Sequence, residues 1–194
     1  MNVTQHRIIL ASASPRRREL LAQAGVDFEV IVSGCDETPV PQESPQEMVE
    51  RLALVKASAV ADQHPDAYVI GADTTVFIDG ISLGKPESET EACDMLARIA
   101  GRTHDVWGGV AVIQRAGKVS QVWSHVTRVT MAAMSKEDIA RYVRTGEPMD
   151  KAGSYAIQGI GLQFVDTVQG SYSNVVGLNI NALLQRLKGC GAVS

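Results

Sequence analysis

The sequence predicts an α/β fold built on a mixed central sheet, and three observations predict it. Short apolar runs bounded by Gly, Pro or Asp alternate with segments whose apolar residues recur every three or four positions. Several of those segments open on a serine followed by proline or an acid, and stop at a glycine. Between residues 106 and 131 two long alternating runs meet at Ala116-Gly117 with no helix between them, which adds an antiparallel pair to the strand-helix alternation.

Taken in order, Ile8 to Ala11 is a short strand that leads into Ser14 as N-cap and Pro15 as first helical residue, with Leu20, Leu21 and Ala24 at helical spacing and Gly25 as the stop. Phe28 to Val32 reads as a second strand, followed by a polar, proline-spotted loop carrying Asp36, Glu37 and Thr38. Ser44-Pro45-Gln46-Glu47 is a capping box that opens a helix to about Gln63. Tyr68 to Ala72 is a buried strand by composition, Val76 to Ile78 with Asp79-Gly80 suggests a hairpin turn, and Ser88 to Ala100 is a helix stopped by Gly101. Val106 to Gln114 and Val119 to Met131 are the long strands. Ser135 to Thr145 is a helix with Asp138 completing its capping box and Gly146 ending it. Gly153, Gly159 and Gly161 punctuate a loop before a last strand from Leu162 to Val168 and a final helix from Ile180 to Leu187. No repeat, low-complexity tract or linker divides the 194 residues, which read as a single domain spanning 1–194, with room for two lobes.

Composition narrows the function. At 45% hydrophobic and 21% charged the chain can bury a full core, and its formal net charge of -4 argues against a nucleic-acid coat. Cys35, Cys93 and Cys190 have no CxxC spacing, and His6, His64, His104 and His125 do not fall at metal-ligand intervals from them, so a zinc site or disulfide framework is not expected. The opening MNVTQHRIIL is too short of apolar residues for a signal sequence and no run approaches a membrane span. These features point to a cytoplasmic protein with no membrane partner and no stable nucleic-acid partner.

Certain polar residues stand where folding alone does not ask for them. Arg16, Arg17 and Arg18 crowd the first turn of a helix, where free N–H groups and the macrodipole already favour an anion. Lys56 falls between Leu52 and Val60, inside a stripe that also holds Val49 and Ala59. One reading is a stem along the core edge with its ammonium in water; the other is an ammonium delivered into a cleft. Asp73 and Thr74 follow a buried apolar run, at what reads as a strand end, where ligand crevices form in open α/β sheets, although turn aspartates are common. Lys85 stands in a stiff Gly84-Lys85-Pro86 loop. Cations at element ends together with Glu37 and Asp73 suit a polyphosphate bound with a divalent metal. No GxxxxGK[ST] loop is present.

The segments Ser12-Ala13-Ser14-Pro15-Arg16-Arg17, Asp36-Glu37-Thr38, residues 52–57 (LALVKA), Gly71-Ala72-Asp73-Thr74, Leu83-Gly84-Lys85-Pro86, Gly101-Arg102-Thr103-His104 and residues 146–159 (GEPMDKAGSYAIQG) occur in this order. Together they resemble the Maf family of nucleoside triphosphate pyrophosphatases over nearly the whole chain. The DKAGSYAIQG stretch, with residues 170–177 (GSYSNVVG) after it, is similar to the branch acting on dTTP and UTP rather than to the branch associated with 7-methyl-GTP. Gly108 stands where members commonly carry a hydroxyl residue, and Thr130-Met131-Ala132 replaces a commoner aromatic and basic stretch.

The resemblance implies an elongated, two-lobed fold related to inosine triphosphate pyrophosphatases, with a nucleotide cleft and often a homodimeric assembly. It implies hydrolysis between the α- and β-phosphates, with Asp73 as general base and Glu37 beside it as metal ligand, the two carboxylates holding Mg or Mn. Arg16, Lys56 and Lys85 would hold the triphosphate, a phosphate lying between the arginines and the helix N–H groups. Ser12, Arg16, Thr74 and Gln158 would contact and select the substrate, with Arg17 or Arg18 only a solvated surface charge. The glutamine amide can pair with both N3–H and O4 of uracil or thymine. A rival from another class is a nucleotide-binding regulator of septum formation, which needs the cationic cradle but no base aimed at water.

Overall fold

The structure, a computed structural model, describes residues 6–38 and 40–194; the first five residues of the N-terminal stretch and Pro39 of the polar loop lie outside the described residues. In chain order the elements are β1 (Ile8–Leu10), α1 (Pro15–Gln23), β2 (Glu29–Val30), α2 (Pro45–Ala61), β3 (Tyr68–Ile78), β4 (Ile81–Leu83), α3 (Glu89–Ile99), β5 (Thr103–Gln114) and β6 (Val119–Met131). There follow α4 (Lys136–Val143), three 3-10 turns within 147–164, β7 (Val165–Gln169), α5 (Tyr172–Val176) and α6 (Ile180–Gly189). The sheet runs β2-β1-β3-β5-β6-β7, with β4 paired to β3. Strand β1 is parallel to β2 and β3, whereas β3–β4 and β6–β7 are antiparallel, so the sheet is mixed as the sequence predicts.

The chain forms two compact units. The first comprises Met1–Asp73, Gly108–His125 and Gly177–Ser194. Its strands are apolar on both faces because both are covered. Ile8, Leu10, Tyr68, Ile70, Val110 and Val112 pack with Leu21 of α1 and Leu183 and Leu187 of α6. The alternate residues Ile9, Val69, Ala111 and Ile113 pack with Ala53, Ala57, Val60 and Ala61 of α2. Two glycines let α2 lie close against this sheet. A Cβ on Gly71 would stand 2.1 Å from the Ala53 carbonyl, and one on Gly109 2.2 Å from the Val49 carbonyl. The second unit, Thr74–Trp107 and Val126–Val176, has its own core, in which Met95, Leu96 and Ile99 of α3 and Ile139, Tyr142 and Val143 of α4 pack with Val76, Ile78, Val106 and Val129.

The expected caps at Ser14, Ser44 and Ser135 form, and the boxes Ser44/Glu47 and Ser135/Asp138 close reciprocally; Ser88 caps α3 as well. The structure redraws four strands and adds a helix; β5 starts at Thr103, three residues before Val106. Tyr68 to Ala72 and Val76 to Ile78 are one strand of 11 residues, continuous through Asp73-Thr74-Thr75. The second strand shrinks from Phe28–Val32 to Glu29–Val30, both exposed. The last strand starts at Val165 rather than Leu162, because Gly159–Phe164 winds into a 3-10 turn. Residues 172–176 form a short helix that the sequence reading does not contain.

Candidate active site

Strand alternation aims Asp73. With Val69 and Gly71 facing α2, Asp73 lies on the same face two residues further on, still inside β3 and not at its end. Polar residues interrupt the apolar run there, which is why the sequence reads as a strand terminus. Thr74 and Thr75 are β-branched and continue the strand without strain.

Lys56 meets it from α2. The buried stripe of that helix runs Val49, Leu52, Ala53, Lys56, Ala57, Val60 and Ala61, and Ala59 falls beside it. Of the two readings open for Lys56, the structure selects the inward one. Its Nζ donates to Asp73 Oδ1 at 2.8 Å and to Glu37 Oε2 at 2.7 Å. The Lys56 and Asp73 side chains are only 7% and 12% exposed, whereas Glu37 is 58% exposed. Burying this cation is tolerable only because both partners are charged and hydrogen-bonded to it. An ammonium has three donors. Two are taken here, and the bonded carboxylates each present a second oxygen.

The polar loop that carries Glu37 is shaped locally. Asp36 Oδ1 accepts from the Thr38 amide at 2.9 Å and its hydroxyl at 2.6 Å, which holds the Asp36 carboxyl below its ordinary range. Arg51, earlier on α2 than Lys56, forms a fork onto both oxygens of Glu43 at 2.6 and 2.8 Å, and reaches the Thr38 carbonyl at 3.4 Å. A cavity of about 530 Å³ opens beside that fork, lined by Glu43, Glu47, Glu50, Arg51 and Leu54 among others. None of the candidate residues lines it, and three glutamates would repel a triphosphate.

The arginine cluster divides. Arg18 is exposed, so the solvated charge expected of Arg17 or Arg18 falls to Arg18, and Arg16 is partly exposed. Arg17 turns inward. Its Nε donates to the Gly177 carbonyl at 2.9 Å, and its Nη1 to the Ala72 carbonyl at 2.8 Å and to Ser12 Oγ at 3.2 Å. Burial lowers its pKa, opposed by the negative charge of Asp73. Arg17 therefore ties α1 to the backbone immediately before Asp73, and it orients the buried Ser12 hydroxyl. Helical periodicity locates apolar faces, but it does not reveal an arginine whose acceptors lie 55 and 160 residues away.

Ser12, Arg16, Glu37, Lys56 and Asp73 thus belong to the first unit, and Thr74, Lys85 and Gln158 to the second. Lys85 is exposed just after β4. Gln158 is exposed at the start of the 3-10 turn 159–164, and its side chain does not cap that turn. Among the described residues there is no group of three or more His, Cys, Asp or Glu able to hold a metal ion. Glu37 and Asp73 each keep a carboxylate oxygen that Lys56 does not engage, hard donors of the type a magnesium ion takes. Such ions take hard oxygen donors, one or two carboxylates from the protein and the rest from phosphates and water.

The fold matches that of a solved Ham1 protein from Staphylococcus aureus, with a TM-score of 0.53 at 16% identity over 94% of this chain and 98% of that one. Residues 7–190 match the Maf family, described as Maf-like protein. The chain belongs to the Maf family. A curated relative from Desulfotalea psychrophila, named dTTP/UTP pyrophosphatase, is 49% identical over 180 residues, 93% of this chain and 92% of the relative. One from Pelotomaculum thermopropionicum, named likewise, is 50% identical over 184 residues, 95% and 96% of the two chains.

Proposed function

We propose that this chain hydrolyses dTTP and UTP between the α- and β-phosphates, releasing the nucleoside monophosphate and pyrophosphate and so clearing these nucleotides from the pool. The observation that carries the reading is the buried Lys56 ammonium clasped by Asp73 and Glu37. The relatives' shared name supports the substrate. Asp73 takes the proton from the attacking water through its oxygen not engaged by Lys56. Lys56 keeps Asp73 oriented and offers its third donor to a phosphate oxygen. Arg16, at the N-terminus of α1, and Lys85 bind further phosphate oxygens, and Ser12 supplies a hydroxyl oriented by Arg17. Glu37 and Asp73 would hold Mg or Mn, which when bound neutralises charge that builds on the phosphates.

Thr74 and Gln158 select the base. An amide carries one acceptor and two donors, and can therefore answer both N3–H and O4 of uracil or thymine, a donor–acceptor pair that cytosine and adenine lack. A wrong base leaves those groups unpaired. Among the described residues no helix is long and apolar enough to cross a membrane, and we place the enzyme in the cytoplasm, where the nucleotide pool is. The test is kcat/KM for dTTP, UTP, CTP, ATP and GTP with the parent and Gln158→Ala. The parent should favour dTTP and UTP, and the variant should lose about 10-fold or more of that preference, two hydrogen bonds' worth. A variant that keeps the parent's full preference for dTTP and UTP, or a parent that prefers 7-methyl-GTP, overturns the assignment.

A further inference from the structure

The stretch around Gln158 is held at both ends by side chains from 142 and 147, neither of which the reading above uses. Tyr142 lies on α4, 2% exposed, with its ring 5.4 Å from that of Phe164. Its hydroxyl accepts from the Ala156 amide at 3.1 Å and donates to Glu147 Oε2 at 2.6 Å. Burial first, then the bond to Glu147, raises the Tyr142 pKa, so the hydroxyl stays a donor. On the far side of Gln158, Glu147 Oε1 accepts from the Ile160 amide at 2.9 Å and Oε2 from the Gly161 amide at 2.8 Å. Glu147 is itself fixed: its amide donates to Thr145 Oγ1 at 3.2 Å, and its carbonyl accepts from Lys151 Nζ at 2.6 Å.

One carboxylate thus gathers three donors, two of them backbone amides of the turn that begins beside Gln158. The fit leaves no slack. Gly159 has φ +68°, and a Cβ there would lie 2.2 Å from Glu147 Oε1. Residues 156 and 160–161 are pinned to one hydrogen-bonded unit, so Gln158 between them has a backbone set by that unit.

We propose that Glu147, acting with Tyr142, is a positioning residue for base selection: it holds the segment 156–161 in the one conformation that presents the Gln158 amide to the pyrimidine edge. This rests on the reading of Gln158 given above. Glu147 touches no substrate. Its loss lets Gln158 sample other orientations, which weakens discrimination between bases more than it slows hydrolysis, since the groups assigned to the phosphates and to water are elsewhere in the chain.

The experiment measures kcat and KM for UTP and CTP with the parent, Glu147→Ala, Glu147→Gln, Tyr142→Phe, Gln158→Ala and the double variant Glu147→Ala/Gln158→Ala. Glu147→Ala should cut the UTP-to-CTP ratio of kcat/KM by about 10-fold, mostly through KM for UTP, the scale of a mispositioned hydrogen-bonding pair. Glu147→Gln keeps one acceptor oxygen and should fall between Ala and the parent. The double variant should discriminate no worse than Gln158→Ala alone, because Glu147 acts through that side chain. Should Glu147→Ala not fold, Tyr142→Phe, which keeps the ring, carries the same test with a smaller loss. A merely structural glutamate would lower melting temperature and slow both nucleotides alike, leaving the ratio in place; that result, or additive losses in the double variant, overturns the proposal while the parent's preference for UTP stands. A parent without that preference, or a Gln158→Ala that keeps it, instead overturns the reading of Gln158, and the proposal falls with it.

Discussion

Lys56→Met is the most informative single perturbation, because it keeps the stem and deletes the ammonium. The side chains of Lys56 and Asp73 are 7% and 12% exposed, so removing the cation strands a buried carboxylate. Breaking a buried pair by deleting one partner costs about 3–5 kcal/mol. The lower end applies, since Asp73 keeps some contact with water, and Glu37, at 58% exposure, rehydrates and adds nothing to count. A loss of about 3 kcal/mol lowers Tm by about 6–12 °C in a chain of this size. Adding Asp73→Asn removes the stranded charge and should return part of that loss. The same ammonium is assigned a phosphate oxygen, a charge-assisted bond of about 1.5–3 kcal/mol, so Kd for a non-hydrolysable UTP analogue should rise about 10- to 150-fold. Calorimetric melting and titration read the two effects separately. A variant that melts with the parent and binds the analogue equally well would refute the reasoning and return Lys56 to a stem at the edge of the core.

Three further outcomes follow from the same geometry. Arg17→Met forfeits bonds to Gly177, Ala72 and Ser12; at about 1 kcal/mol each this is about 3 kcal/mol, read as a fall in denaturation midpoint. Chelation with EDTA should abolish turnover, and Mg or Mn should restore it, if Glu37 and Asp73 hold the metal as proposed. His104 is 2% exposed, bonded at 2.8 Å to the Tyr155 hydroxyl, and burial lowers its pKa from 6.5 to about 4. In the folded chain it stays neutral at pH 5–6, while the unfolded imidazole takes up a proton. Its contribution is therefore complete above about pH 6.5 and is lost as pH falls toward 4, at about 1.4 kcal/mol per pH unit. Melting temperature should drop across pH 6.5–5, and His104→Gln should flatten that slope.

Caps and long strands were legible because their signals are local. Ser44 with Glu47, Ser135 with Asp138, and the alternation from Val119 to Met131 each depend on neighbours within a few residues. Lys56 was legible as an anomaly from 100° spacing alone, though not its partners. What could not be read depends on distant contacts. Asp73 looks like a strand end until Lys56, 17 residues earlier, supplies its counter-charge and lets β3 run on. Arg16 and Arg17 are chemically identical neighbours, and only the positions of the Ala72 and Gly177 carbonyls send Arg17 inward. Leu162 to Phe164 reads as strand by composition, yet the carboxylate of Glu147 draws the Ile160 and Gly161 amides into a turn.

The central claim is that Asp73 activates water for cleavage between the α- and β-phosphates. The direct measurement is the product balance of UTP turnover, with UMP, pyrophosphate and orthophosphate quantified separately, for the parent and for Asp73→Asn, which keeps size and removes the base. The account predicts UMP and pyrophosphate in equal amounts from the parent, and kcat lower by about 100-fold or more in a variant that still folds. Orthophosphate with UDP as the products, or an Asp73→Asn variant that turns over like the parent, would contradict it.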